Sequence, residues 1–145
     1  MNEFRLFAHG ETFDVDALLT TTKLKPDYVW RRGDQRRRAC IESRHETSGI
    51  EFVLGDGLNT PFLEQERIAI AYLETNRDDL RSIADTPGAD TFILGLQYWT
   101  EFRDNVIGFS VGPSPKLMWW CLAIGVRPVY YAYIRRLHQQ SNEEE

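Results

Sequence analysis

The chain has 145 residues, of which 42% are hydrophobic and 27% charged, and its net charge is −5. This composition is typical of one globular domain and excludes a disordered chain, while the negative charge disfavours a general affinity for nucleic-acid backbones. Two cysteines do not make a disulfide framework and no apolar run reaches the length of a membrane span. We therefore expect one cytoplasmic domain over residues 1–138, with no membrane contact, and a polar tail over residues 139–145.

The first part of the chain is predicted to be mainly extended. Alternation of apolar and polar residues indicates the first strand, and Asp14 is placed to cap a helix that Pro26 forbids from continuing. Ser48-Gly49 is the predicted turn of a hairpin. The elements predicted here are a strand at 4–9, a helix from 14 to before 26, an extended segment at 28–31, and paired strands at 39–46 and 50–54.

The second part of the chain contains two cap-plus-proline helix starts, Thr60-Pro61 and Ser114-Pro115. Gly125 is the expected end of the later helix. The elements predicted here are a helix from 60 to 76 with a further turn or two around Leu80, a hairpin of strands at 92–100 and 106–111, a helix at 115–124, and a strand at 129–134.

This order has too few helices to cover both faces of a parallel sheet. The sequence therefore predicts an α+β fold, with a mixed or mainly antiparallel sheet of about six to seven strands and two to three helices packed on one face.

Several short motifs resemble those of an uncharacterised bacterial family, domain of unknown function 4279, over about residues 4–134. The motifs are Phe13-Asp14-x-Asp16, Leu24-x-Pro26, Trp30-x-x-Gly33, and Gly108-Phe109-Ser110 before a proline-capped helix that ends at Gly125. The resemblance implies a small bacterial protein of a family without established catalytic residues, and toxin genes are plausible neighbours of some such proteins. The matching positions are typical of caps, turns and packing, so no catalytic role is carried over.

Three possible reaction centres are considered and set aside. Ser110 lies in a G-x-S-x-G pattern that is typical of a nucleophilic serine. A hydrolase triad of this type requires an acidic residue between the serine and the histidine, and no Asp or Glu lies between Ser110 and His138. Cys40 could form a thiolate couple with His45, but the alternation of side chains along the predicted strand places the two residues on opposite faces. The group His9, Glu11, Asp14 and Asp16 could bind a hard metal, but carboxylates at the start of a helix are explained by the helix dipole. We expect no metal and no cofactor.

A dense run of arginines is the most unusual surface feature. Like charges in one loop repel unless acidic groups neutralise them. The protein's own acidic surface, nucleic-acid phosphates and an acidic patch on another protein are the three alternatives. The run consists of Arg31, Arg32, Arg36, Arg37 and Arg38.

Aromatic residues and arginines are enriched in interface hot spots. We therefore predict a non-catalytic cytoplasmic protein-binding domain, such as an immunity or inhibitor protein that binds the acidic patch of a cognate toxin; a homodimer is a further alternative. The residues predicted to bind the partner are Arg31, Arg32, Arg36, Arg37, Arg38, Trp30, Trp99 and Tyr131.

Two other classes remain open. In the first, the domain binds a small ligand or has a regulatory role, with Trp30, Trp99 and Tyr131 lining a pocket and an arginine holding an anionic group. A deep pocket would favour this class. In the second, an enzyme uses unrecognised carboxylate chemistry around Glu11, Asp14 and Asp16.

Overall fold

The computed structural model describes residues 3–36, 43–102 and 112–136. Its elements in chain order are β1 (Glu3–Gly10), α1 (Val15–Thr21), β2 (Tyr28–Trp30), β3 (Ser48–Asp56), α2 (Phe62–Thr75), α3 (Arg77–Ala84), β4 (Thr91–Phe102), α4 (Pro115–Ile124) and β5 (Arg127–Arg136).

The described strands form one five-stranded sheet in the order β2-β3-β1-β4-β5. The pair β4–β5 is parallel and the other three pairs are antiparallel. The sheet is therefore mixed and mostly antiparallel, and the predicted α+β class is confirmed.

One face of the sheet is covered by helices and carries the hydrophobic core. In β1, Phe4, Leu6 and Ala8 are completely buried, whereas the residues between them are partly exposed. Successive side chains of a strand point to opposite faces. The helix α2 packs against β3 and β4, and α4 packs against β5. The opposite face, called the open face below, is therefore free of helices in the described part of the chain.

Local capping chemistry explains where two of the helices begin. The side chain of Asp14 accepts a hydrogen bond from the Ala17 N–H at 3.0 Å, as predicted for α1. Ser114 accepts from the Leu117 N–H, and Gly125 ends α4 with a φ of 88° in the left-handed region.

Among the described helices, none is long and apolar enough to cross a membrane.

A buried glutamine joins α2 to β4. The Gln65 side-chain nitrogen lies within hydrogen-bonding distance of three carbonyl oxygens, including that of Gln97 at 2.8 Å. Its side-chain oxygen accepts from the Gln97 backbone N–H at 2.9 Å. Gln97 in turn donates its side-chain amide to the Glu3 carbonyl at 2.8 Å. These bonds fix the position of β4 beyond Gly95, where its pairing with β1 ends.

The predicted hairpin around Ser48-Gly49 is wrong. Both residues lie inside β3, which pairs with β1 and β2 and not with the described residues 43–46 of the predicted partner strand. Within the described part of that segment, Arg44 forms a bridge with Gln35 instead. The composition of the dipeptide favours a turn, but Gly49 instead allows the Trp30 ring to lie close to β3.

Other boundaries also differ from the predictions. The second helix begins after Pro61 and shows no side-chain cap, so Thr60 does not cap it. The turn predicted around Leu80 is a separate helix, α3, which brings the number of described helices to four. The predicted strand at 106–111 and the tail at 139–145 lie outside the described residues.

Candidate binding site

The open face carries a cavity of about 600 Å³. Its floor includes the outward residues of β1, namely Glu3, Arg5, Phe7 and His9. One wall comes from β2 and the segment that precedes β3, and the other wall comes from β5. The wall residues are Tyr28, Trp30, Arg36, His45 and Thr47 on the first side and Tyr131 and Tyr133 on the second.

Two glycines let aromatic rings lie close to the sheet. A Cβ atom built on Gly49 would be only 2.1 Å from Cζ2 of Trp30. A Cβ atom built on Gly95 would be 2.9 Å from Cε2 of Tyr131. Because a side chain at either position would displace the ring, these glycines shape the floor and both walls of the cavity.

Trp30 is the centre of an aromatic cluster. Its ring centroid lies 5.5 Å from that of Tyr28 and 5.4 Å from that of His45, with the rings nearly parallel in both pairs. His9 approaches Trp30 from β1 at 6.5 Å and stacks on Phe7 at 6.0 Å. The Trp30 side-chain N–H is buried without an acceptor among the described residues. Buried donors are usually satisfied, so this one marks a polar group left open beside the cavity.

Backbone hydrogen bonds position His45 against this cluster. The Gly33 N–H donates to the His45 carbonyl at 2.8 Å, and the His45 N–H donates to the Asp34 carbonyl at 2.8 Å. The His45 Nε2 atom lies 3.3 Å from the Tyr28 hydroxyl. Partial burial, reinforced by the nearby Arg36 charge, lowers the pKa of His45 below 6.5. The imidazole is therefore neutral at neutral pH.

This lowered pKa predicts a loss of stability in mild acid. As the pH falls through about 6.5, the unfolded chain binds a proton at His45 before the folded protein does, so the unfolded state is favoured. We expect the urea midpoint of the native protein to fall more between pH 7.5 and pH 5.5 than that of His45→Gln. Parallel losses in the two proteins would show that His45 does not titrate differently on folding.

The charged groups of the cavity fall into paired and unpaired sets. Arg5 and Glu51 form an ion pair at 2.8 Å on the floor, with side chains 14% and 19% exposed. Arg36 and Glu3 also line the cavity, and neither side chain has an ionic partner among the described residues. Among the described residues, the cavity therefore has one unpaired guanidinium and one unpaired carboxylate.

Two arginines of the predicted run pair with the protein's own acidic residues. Arg31 donates two hydrogen bonds to Asp16 and holds the pKa of that carboxyl below its ordinary value. The Arg32 guanidinium forms an ion pair with the Glu11 carboxylate, with 3.0 Å between Nη1 and Oε1. Of the three alternatives for this run, intramolecular neutralisation applies to these two side chains. The turn that carries them closes through the Asp34 N–H, which donates to the Arg31 carbonyl.

The structure brings together three of the predicted partner-binding residues. Trp30, Arg36 and Tyr131 line the same cavity, although Trp30 is only 8% exposed. Trp99 lies in β4, in register with Tyr133 of β5. Arg37, Arg38, Cys40 and Ser110 lie outside the described residues.

Sequence reasoning missed most of the cavity floor. The alternation that identified β1 also placed Arg5, Phe7 and His9 on the face opposite the core, so their common orientation was available. Gly49 and Gly95 gave no comparable signal. Their importance depends on rings that come from other strands.

The fold and the cavity together define a class: an α+β domain with helices on one sheet face and an aromatic-lined cavity on the other. The model of a family described as "Domain of unknown function (DUF4279)" matches residues 2–110, and the chain belongs to that family. No curated protein and no solved structure matches the chain. The matched region includes β1 to β4, while the wall formed by Tyr131 and Tyr133 follows it.

Proposed function

We propose that this protein is a non-catalytic binding domain that holds a small organic anion in the open-face cavity. The observation that carries the proposal is Arg36, an arginine without an acidic partner among the described residues, beside an aromatic-lined cavity of about 600 Å³. Cavities of about 300–1,000 Å³, mostly apolar and with a few polar groups, are typical of small-molecule sites.

Each part of the cavity has a chemical role in this proposal. The ring faces of Phe7 and Tyr131 bury the apolar body of the ligand, because aromatic pairs favour stacked and edge-on contacts. The planar guanidinium of Arg36 binds a carboxylate or phosphate through two parallel hydrogen bonds. Neutral His45 adds a hydrogen bond without a competing charge.

The state of the ionisable groups supports binding rather than catalysis. Arg5 is paired with Glu51, and His45 is bonded to the Tyr28 hydroxyl. Cys121 lies in the core, where burial together with the nearby Glu66 raises the pKa of its thiol to about 12. That thiol is protonated at neutral pH, and only the thiolate is a strong nucleophile.

The direct test is binding of a panel of planar aromatic carboxylates and organic phosphates, measured by calorimetry. We expect Arg36→Gln to weaken the best binder by about tenfold or more, since hydrogen bonds to charged groups contribute about 1.5–3 kcal/mol. Arg67→Gln is the matched control, because Arg67 pairs with Glu64 on the exposed side of α2. Equal affinities in Arg36→Gln and the native protein, or no binder in the panel, would contradict the proposal.

A second candidate function is the one predicted from the sequence: a cytoplasmic immunity or inhibitor protein that binds a cognate toxin. The observation that favours it is an apolar strip on α4, where Trp119 is 59% and Leu122 76% exposed. Exposed aromatic residues are typical of interface hot spots. An affinity pull-down distinguishes the candidates: a single protein retained by the native domain and lost in Trp119→Ser favours this function, whereas a small molecule released on denaturation favours the first.

A further inference from the structure

The cavity is a groove rather than a round pocket. All four outward residues of β1, from Glu3 to His9, line it. At about 3.3 Å per strand residue, the ends of this row are about 20 Å apart. At one end of the groove, Gly49 of β3 lies between His9 of β1 and Trp30 of β2. At the other end, the Gln97 side chain donates a hydrogen bond to the Glu3 carbonyl, and Gln97 pairs with Tyr131 of β5. The groove therefore crosses the sheet obliquely from the β2 side to the β5 side.

The two unpaired charges lie at opposite ends of this groove. Arg36 donates its backbone N–H to the Ser43 carbonyl at 2.9 Å, two residues before His45, and lines the cavity together with His45 and Trp30, which places Arg36 at the Trp30 end. Glu3 begins β1 at the far end, and its side chain has no basic partner within the described ranges. Between them, Arg5 and Glu51 neutralise each other at 2.8 Å. The groove is thus basic at one end, acidic at the other and neutral in the middle.

A simple aromatic anion would use Arg36 and leave Glu3 without a partner. A ligand that uses both ends must carry an anionic group and a cationic group separated by an extended body. A peptide with free ends has these properties, because its carboxylate and ammonium lie at opposite ends of a chain that spans at most about 3.3–3.6 Å per residue.

We propose that the groove binds a short free peptide of about six residues, with its carboxylate on Arg36 and its ammonium on Glu3. This inference rests on the proposed binding function of the same cavity. Phe7 contacts the middle of the peptide, and the Tyr131 ring, which lies against Gly95 beside Arg5, contacts the part towards Glu3. Both rings favour an apolar or aromatic side chain there. Because β1 is paired on both sides, side chains rather than strand backbone make the contacts.

The test begins with a random mixture of hexapeptides with free ends, passed over the immobilised protein. Retained peptides are identified by mass spectrometry. The strongest binder is then synthesised in four forms: with free ends, N-acetylated, C-amidated and blocked at both ends. We expect either block to weaken binding by about tenfold or more in calorimetry, as for the loss of a charge-assisted hydrogen bond.

Two variants assign each end of the peptide to a residue. In Arg36→Gln, amidation should carry no further penalty while acetylation still does. In Glu3→Gln, the opposite pattern should hold. Arg67→Gln should retain the penalties of the native protein, and thermal unfolding checks that every variant is folded.

The outcomes separate this inference from the function on which it rests. If all four end forms bind equally well, or if no peptide is retained, the peptide inference is wrong. Binding of small organic anions that is weakened in Arg36→Gln would then still support the function on which the inference rests. If neither peptides nor small anions bind, both proposals fail.

Discussion

Gly49→Ala should lower the free energy of unfolding by about 3 kcal/mol and abolish ligand binding, because it overpacks the site. The new methyl group would lie 2.1 Å from the Trp30 ring. That ring is buried and packs against both Tyr28 and His45, so it cannot move aside without breaking both contacts. The backbone at Gly49 is also fixed, since it pairs with His9 on one side and Trp30 on the other.

Urea unfolding measures this effect against two controls. Gly112→Ala should be neutral or slightly stabilising, because no described residue lies within 4 Å of its Cβ position. Gly95→Ala should have an intermediate effect, because the Tyr131 ring that it meets is 41% exposed and can rotate away. If Gly49→Ala is as stable as the native protein, Trp30 does not lie against β3 as described.

Gln65→Leu should be comparably damaging, lowering the free energy of unfolding by about 3–5 kcal/mol. The substitution removes the side-chain partners of the Gln97 N–H and of the carbonyls that face Gln65. Each buried polar group left without a partner costs about 1–3 kcal/mol. The position is 1% exposed, so water cannot replace the lost bonds without opening the core.

The control variant is Glu74→Leu, at an exposed position of the same helix. Its urea midpoint should be nearly that of the native protein. Gln65→Glu gives a second check, because a carboxylate accepts from the Gln97 N–H but cannot donate to the carbonyls. We expect it to be destabilised as well. A stable Gln65→Leu protein would show that α2 does not hold β4 through this side chain.

The elements predicted well are those with local causes. Ser114, Pro115 and Gly125 specify α4 within its own length, and the structure begins and ends the helix where they indicate. The alternation in residues 4–9 likewise identified β1. The capping hydrogen bonds of α4 and the alternating exposure of β1 can both be predicted from residues that are close together in the sequence.

The features that the sequence did not predict depend on distant parts of the chain. Ser48-Gly49 has the composition of a turn, but its glycine is used to accommodate Trp30 across the sheet. The arginine run was recognised as unusual, yet the pairing of Arg31 with Asp16 is a tertiary contact. The cavity combines residues of all five strands and the segment before β3, so its composition follows from strand order, which the sequence pattern did not reveal.

The central position of β1 has a consequence for how the protein folds. Leu6 is flanked by Phe52 on one side and by Leu94 on the other, so the first strand of the chain acquires both neighbours from much later segments. Two long loops must close before these pairings gain energy, which slows folding. During synthesis, β1 leaves the ribosome long before β4 exists to cover its second edge. We therefore expect the nascent chain to be prone to aggregation until β4 has emerged, and its yield to depend on chaperones.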